Sequence, residues 1–256
     1  MSSGRRHELE RTLGGYPHHR QARACGYFES PVAYVFLVIF LLLAGFFTFT
    51  FGGFFERGEA SLAAFFNWLP WLFLFLVPAA GMRLWSEERR LGTIELLLTM
   101  PVAAWQAIVG KFLASWLFLI VALALTFPMI MTVNWLGDPD NGVVVSGYVG
   151  AALLAGAYLA ISCMTSALTR NQVIAFILAV VLCLLLILVG FTPLTDLLAR
   201  WASPWVVESV AKFSVLTYYD GFQKGVLDSR GLLYFFSIMG YALFVTGVVI
   251  RNQRTG

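Results

Sequence analysis

The order of charged and apolar positions divides the chain into long charge-free runs. Six of these runs reach at least 20 residues, and apolar side chains dominate each of them. A helix needs about 20 apolar residues to cross a hydrocarbon core of about 30 Å. The pattern therefore predicts six membrane-spanning helices. They fall at about 31–55, 61–83, 111–135, 146–168, 172–194 and 231–250.

The composition agrees with this pattern. Apolar residues make up 59% of the 256 positions and charged residues only 12%, against about 45–50% and about 25% in soluble domains. This balance excludes an ordinary cytosolic enzyme and a nucleic-acid-binding protein. Because a lipid-exposed backbone must satisfy its own hydrogen bonds, we expect an all-α polytopic membrane protein.

The distribution of basic residues predicts the orientation. With both termini in the cytoplasm, twelve of the 17 Lys and Arg residues fall on the cytoplasmic side, as positive-inside topology requires. The N-in, C-in arrangement leaves residues 1–30 as a cytoplasmic head and 251–256 as a tail around the six-helix domain, 31–250. Residues 84–108 form a cytoplasmic loop. Residues 196–230 form an outer segment, which we expect to contain short helices dipping into the outer leaflet.

The predicted spans lack the residues of several membrane activities. None holds a charged side chain between its flanking charges, although proton relays and ion-coupled transporters usually place one there. The single Gly-Lys pair, Gly110–Lys111, is followed by Phe112 and not by the Ser or Thr of a P-loop. The three cysteines and three histidines show no metal-ligand spacing. We therefore expect no catalytic residue, cofactor site or metal site in this chain.

Small residues recur every four positions in the fourth and fifth predicted spans. Side chains four apart share one helix face, and small side chains let helices approach closely in lipid. Packing within the chain and a subunit interface are both compatible with this spacing. The residues concerned are Ala152, Gly156, Ala160, Ala175 and Ala179.

Three prolines interrupt the apolar runs. Pro70 and Pro78 lie in the second predicted span and Pro128 in the third. A proline removes one backbone donor, and its ring clashes with the carbonyl four residues earlier. We therefore expect local bends at these positions.

The cytoplasmic loop contains a pattern typical of an amphipathic helix. Leu91, Ile94 and Leu98 lie at i, i+3 and i+7, on one helix face. Pro101 ends the pattern. The alternatives are a solvated loop with an interfacial helix and a docking surface for a cytoplasmic partner. In the second case Glu87, Glu88 and Glu95 would present carboxylates to the partner while the leucines and Ile94 anchor the helix.

The same loop carries a family resemblance. Glu88, then Gly92-Thr93, Glu95, a leucine run and Pro101-Val102, placed between spans two and three, resemble the coupling region of type-2 ABC exporter permeases. Residues 30–36, 137–142, 166–172 and 222–230 are similar to the gliding-motility branch of that family.

This resemblance implies a permease subunit of an ABC exporter in the bacterial cytoplasmic (inner) membrane. It implies two copies of a separate cytoplasmic ABC ATPase, which bind ATP and magnesium, and a second permease copy or a related permease. Relatives of this branch often work with an auxiliary membrane protein that bears an extracytoplasmic domain. The resemblance also implies an elbow helix before span one and re-entrant helices before span six, around Gly225, Asp228 and Arg230. The implied ATPase-coupling residues are Glu87, Glu88, Arg89, Arg90, Gly92, Thr93, Glu95 and Pro101.

Two functions fit these observations. The first is a transport subunit driven by the partner ATPase. The alternative is a non-transporting assembly or mechanotransmission subunit, which couples an ATPase to an extracytoplasmic partner. A passive channel fits less well, because the spans offer no polar stripe to line a wet pore.

Overall fold

A computed structural model of the chain describes residues 31–54, 60–92, 104–191, 200, 205 and 212–252. Throughout these residues the regular structure is helical, without a strand. The α-helices are α1 (Pro31–Phe46), α2 (Ala63–Gly81), α3 (Arg83–Leu91), α4 (Ala104–Ala124), α5 (Phe127–Leu136), α6 (Asn141–Leu168), α7 (Gln172–Leu188), α8 (Val215–Gln223) and α9 (Ser229–Asn252). The chain divides into two compact units, residues 1–35 and 36–256, with the boundary inside α1.

Among the described residues, five helical stretches are long and apolar enough to cross a membrane. They are Ala33–Phe51, Ala63–Leu91, Trp105–Leu136, Asn141–Leu168 and Ser229–Asn252. The first includes a π-helix over Phe47–Phe51 that continues α1. The prediction of an all-helical membrane protein is thus confirmed for the described residues, with five candidate spans where six were expected.

The sixth predicted span, 172–194, corresponds to the shorter helix α7. This apolar helix has 17 residues and rises about 26 Å. After its last residue the backbone changes to bonds between residues three apart. The N–H of Gly190 bonds to Ile187 O at 3.2 Å, and the N–H of Phe191 bonds to Leu188 O at 3.1 Å. The predicted head and elbow helix, residues 1–30, and most of 192–211 lie outside the described residues.

Helix α6 is the centre of the bundle. It packs against α2, α3, α4, α7, α8 and α9, and most of its side chains are buried. The indole N–H of Trp116 in α4 donates to Ala152 O at 2.9 Å. A Cβ at Gly156 would lie 2.8 Å from the same indole nitrogen, so only glycine admits Trp116 here.

The small residues singled out in the sequence are therefore occupied by packing within this chain. Ala160 of α6 and Ala175 and Ala179 of α7 are fully buried in the bundle. Together with the cover that Trp116 gives to Ala152 and Gly156, this burial favours the first of the two interpretations of the four-residue spacing.

The prolines act differently in the two spans that contain them. Helix α2 runs through Pro70 and Pro78 without ending. The third predicted span is interrupted: α4 ends at Ala124, and α5 begins at Phe127 with Pro128 in its first turn. A proline fits the first turn of a helix, where its missing N–H has no acceptor.

Close contact between α2 and α6 gives a test of this packing. A Cβ at Gly81 would lie 2.7 Å from Ser162 Cβ, so Gly81→Ala should push α6 away. Overpacking of this kind costs about 1–3 kcal/mol, and we expect a lower melting temperature in detergent. A Cβ at Gly240 of α9 would meet no atom within 4 Å, and Gly240→Ala is therefore the control. A Gly81→Ala variant as stable as Gly240→Ala would contradict the packing described.

Candidate functional site at the charged end of the second helix

Helix α3 is a charged continuation of α2. Met82, which joins the two helices, keeps helical backbone angles with φ −58° and ψ −26°. The helix ends at Leu91 because Gly92 adopts a left-handed conformation, φ 71°, with its N–H bonded to Glu88 O. A left-handed glycine is the common way to end a helix.

This end point corrects the sequence prediction. One amphipathic helix was expected to run through Leu91, Ile94 and Leu98 to Pro101, but the left-handed Gly92 stops it at Leu91. Leu91 is 63% exposed and does not anchor the helix in this chain. The other predicted coupling residues beyond Gly92, namely Thr93, Glu95 and Pro101, lie outside the described residues.

Ser166 of α6 binds the start of α3. Its Oγ accepts hydrogen bonds from the backbone N–H groups of Trp85 and Ser86, each at 3.0 Å, and donates to Met82 O at 2.9 Å. The first N–H groups of a helix have no intrahelical acceptor, and Met82 has no side chain that could cap them. A buried serine from another helix therefore provides the cap.

Lys111 of α4 closes the site from the other side. Its ammonium lies 4.1 Å from the centroid of the Trp85 ring, donates to Leu84 O at 3.1 Å and forms an ion pair with Glu88. Trp85 is fully buried. A cation over an indole face is attracted by the ring quadrupole. Together with the bond from Trp85 Nε1 to Cys163 Sγ at 3.1 Å, these contacts join α3, α4 and α6. We call the set Trp85, Glu88, Lys111, Cys163 and Ser166 the polar junction.

The predicted coupling residues on α3 separate into two groups. Glu88 pairs with Lys111, and the Arg89 guanidinium donates to Ala167 O near the end of α6. These two side chains are engaged within the molecule. Arg90 is exposed and Glu87 is partly exposed, so they form the outward-facing charged surface of α3.

Lys111, Trp85 and Ser166 were not predicted from the sequence as site residues. A signal was present for Lys111, which is the only charged residue of α4 and lies about two turns inside that apolar helix. A cation in such a position needs a partner. Ser166 begins one of the stretches that are similar to the gliding-motility branch, residues 166–172, but its bonds to α3 were not predicted, because they depend on how α6 crosses α2.

A second group of predicted residues forms the turn between α8 and α9. Gly225, with φ 83°, ends α8: its N–H bonds to Phe222 O at 3.2 Å, and the next N–H bonds to Gly221 O at 3.0 Å, as in a Schellman motif. The Asp228 carboxylate accepts from the N–H of Arg230 at 3.0 Å and caps α9. The Arg230 side chain is exposed.

The site is built from polar side chains of three helices. In the part of the chain that the structure describes, no group of three or more His, Cys, Asp and Glu side chains could hold a metal ion. The polar junction consists of a buried ring, a thiol and a hydroxyl, together with one partly exposed ion pair. These contacts hold α3, α4 and α6 together.

Comparison with known families identifies the class. Residues 71–229 match the family described as ABC-2 family transporter protein. The match covers more than half of the chain, and the chain belongs to this family. It is therefore a multi-pass permease, the non-catalytic membrane subunit of an ABC transporter, as the sequence resemblance implied. No curated protein matches the chain.

Two buried serines of α6 provide a test of the junction. Ser166→Ala removes the acceptor of the Trp85 N–H at the start of α3, and an unsatisfied buried group costs about 1–3 kcal/mol. Ser146 is also buried, but its hydroxyl has no hydrogen-bond partner within the described structure. We expect Ser166→Ala to lower the melting temperature and Ser146→Ala to leave it nearly unchanged. Equal effects would show that Ser166 does not cap α3.

Proposed function

We propose that this permease forms half of the membrane part of an ABC exporter and that a cytoplasmic ATPase docks on α3 and the residues that follow it. The observation that carries this proposal is the attachment of a charged helix end to three other elements: α2, which it continues, α6 through Ser166 and α4 through Lys111. A docking helix can transmit force only if it is fixed to the spans that must move.

In this proposal, the attachment of α3 transmits the conformational change of the ATPase to the membrane-spanning helices. ATP and magnesium are bound by the partner ATPase. Its closure on nucleotide displaces α3, and the polar junction carries that displacement to α4 and α6. Alternating access then amounts to a population shift between two packings of the bundle.

The remaining parts of the assembly follow the family resemblance. They are two ATPase copies, a second permease copy or a related permease and, in the gliding-motility branch, an auxiliary membrane protein with an extracytoplasmic domain. The location is the bacterial inner membrane. Exposed apolar side chains on α1, α7 and α9 provide the surfaces for lipid and for the second permease.

Helix α8 is the re-entrant element of this proposal. Its nine residues rise about 14 Å, too short to cross the membrane. Val215, Tyr219 and Phe222 are nevertheless buried inside the bundle. A short helix that enters the bundle and continues into α9 through the Gly225 turn accounts for both facts, and with N-in, C-in topology the α8–α9 turn would face the outer side.

The orientation can be tested by labelling cysteines in intact cells. N-in, C-in topology places Asp138 and Lys224 outside and Arg90 inside. All three are exposed, while Cys163 and Cys183 are buried. With Cys25 replaced by Ser, an impermeant maleimide should label Asp138→Cys and Lys224→Cys but should label Arg90→Cys only after permeabilisation. The reverse pattern would overturn the topology.

Docking can be tested by exchanging the charges on the outward face of α3. The double variant Glu87→Lys, Arg90→Glu keeps the net charge and should reduce retention of the ATPase on the purified permease at least tenfold. That loss corresponds to about 1.4 kcal/mol, the lower range for charge pairs at interfaces. Arg251→Glu changes an exposed charge at the end of α9 and should have no effect.

The same complex separates transport from mechanotransmission. In liposomes, the transport proposal predicts export that depends on ATP hydrolysis, whereas a non-transporting subunit would stimulate hydrolysis without export.

Full retention of the ATPase by the α3 double variant Glu87→Lys, Arg90→Glu would show that docking takes place elsewhere.

A further inference from the structure

A proline in α2 leaves one backbone carbonyl without its helical partner. In an α-helix the carbonyl of residue 66 would accept from the N–H of residue 70. Residue 70 is Pro and has no N–H to donate. The Phe66 carbonyl is therefore free to bond outside its own helix.

Helix α8 supplies two donors to this carbonyl. The Tyr219 hydroxyl donates to Phe66 O at 3.3 Å and the Gln223 amide donates to the same atom at 3.4 Å. Residues four apart lie on one helix face, so both donors point from α8 to α2. Phe66 and Tyr219 are fully buried.

Hydrogen bonds, and not apolar packing alone, fix the position of this contact between α8 and α2. A buried carbonyl without a donor is costly where water is absent. If α8 moved away, the Phe66 carbonyl, the Tyr219 hydroxyl and the Gln223 amide would each lose a partner. Apolar packing alone could slide without such a loss.

The contact lies on the helix that also carries the docking end. Helix α2 bonds to α8 near its start, through Phe66, and continues into the charged helix α3 at its other end. One helix therefore connects the polar junction with α8.

We propose that Tyr219 and Gln223 are positioning residues that fix α8 to the carbonyl freed by Pro70, so that α8 follows α2 when the ATPase acts on α3. This inference rests on the proposed function. It assigns to Pro70 the role of exposing a bonding site for a helix elsewhere in the bundle.

The test uses a substitution that replaces the donor from within α2. In Pro70→Ala, the new N–H of residue 70 can bond to Phe66 O. Tyr219→Phe, Gln223→Leu removes both donors of α8. These changes are made separately and together in the permease–ATPase complex in lipid nanodiscs, with Cys25 replaced by Ser. The measurements are the melting temperature and the rate at which Asp220→Cys, an exposed position of α8, reacts with a maleimide with and without nucleotide.

We expect nucleotide to change the labelling rate of the parent complex at least twofold. The double variant should melt at a lower temperature, and its labelling should no longer depend on nucleotide. Adding Pro70→Ala should restore the melting temperature, because Phe66 O regains a donor, but should not restore the nucleotide dependence, because α8 remains detached. Tyr218→Phe removes a hydroxyl from a ring that stacks on Tyr234 and should behave like the parent.

Other outcomes overturn the inference. Nucleotide-dependent labelling in the double variant would show that α8 follows α2 by other contacts. Failure of Pro70→Ala to restore the melting temperature would show that Phe66 O is not the critical acceptor. If the parent complex hydrolyses ATP but the labelling rate of Asp220→Cys is the same with and without nucleotide, the inference fails and the proposed function stands. If the ATPase does not bind the permease at all, the proposed function fails.

Discussion

Backbone groups that cannot reach water determine how this permease is assembled. In lipid, each N–H and C=O of a spanning helix needs a partner within the protein. Along α2 and α3 two backbone positions lack a helical partner. One is the carbonyl of Phe66, because Pro70 has no N–H to donate, and the other is the N–H at the start of α3. Both gaps are filled by side chains from other helices, Tyr219 with Gln223 in the first case and Ser166 in the second.

The same constraint gives α6 its central place. A helix that six others contact must be thin along most of its length, and α6 is rich in Gly, Ala and Ser. Small side chains admit Trp116 at Gly156. They also bring Ser162 close enough to bond with Pro78 O of α2, and Ser166 close enough to bond with Met82 O, where α2 joins α3. Close approach and hydrogen bonding are therefore two results of one composition.

Five of the six expected spans could be predicted from the sequence, because a charge-free apolar run of about 20 residues has few other uses. The end of the coupling helix could not be predicted, because the leucine spacing continues beyond Gly92 whereas the helix ends at Leu91. Three helix starts carried a signal that the predicted bounds did not use, so the fourth span was expected to begin at 146 whereas α6 begins at Asn141. Asp140, Asn171 and Asp228 each cap the helix that follows with a side-chain oxygen. The partners of Glu88 and Trp85 were not readable, since Lys111 and Cys163 approach them only through helix crossing.

Helices α3 and α6 should move as one body, because the polar junction joins them. Helix α6 is about 42 Å long. Spin labels on Leu91→Cys at the end of α3 and on Val145→Cys near the other end of α6, both exposed, therefore report on this unit along its whole length. Pulsed electron paramagnetic resonance on the permease–ATPase complex should give one narrow distance distribution that is the same with and without nucleotide. A distance that shifts with nucleotide, or a broad distribution in both states, would show that the charged helix moves independently of the bundle.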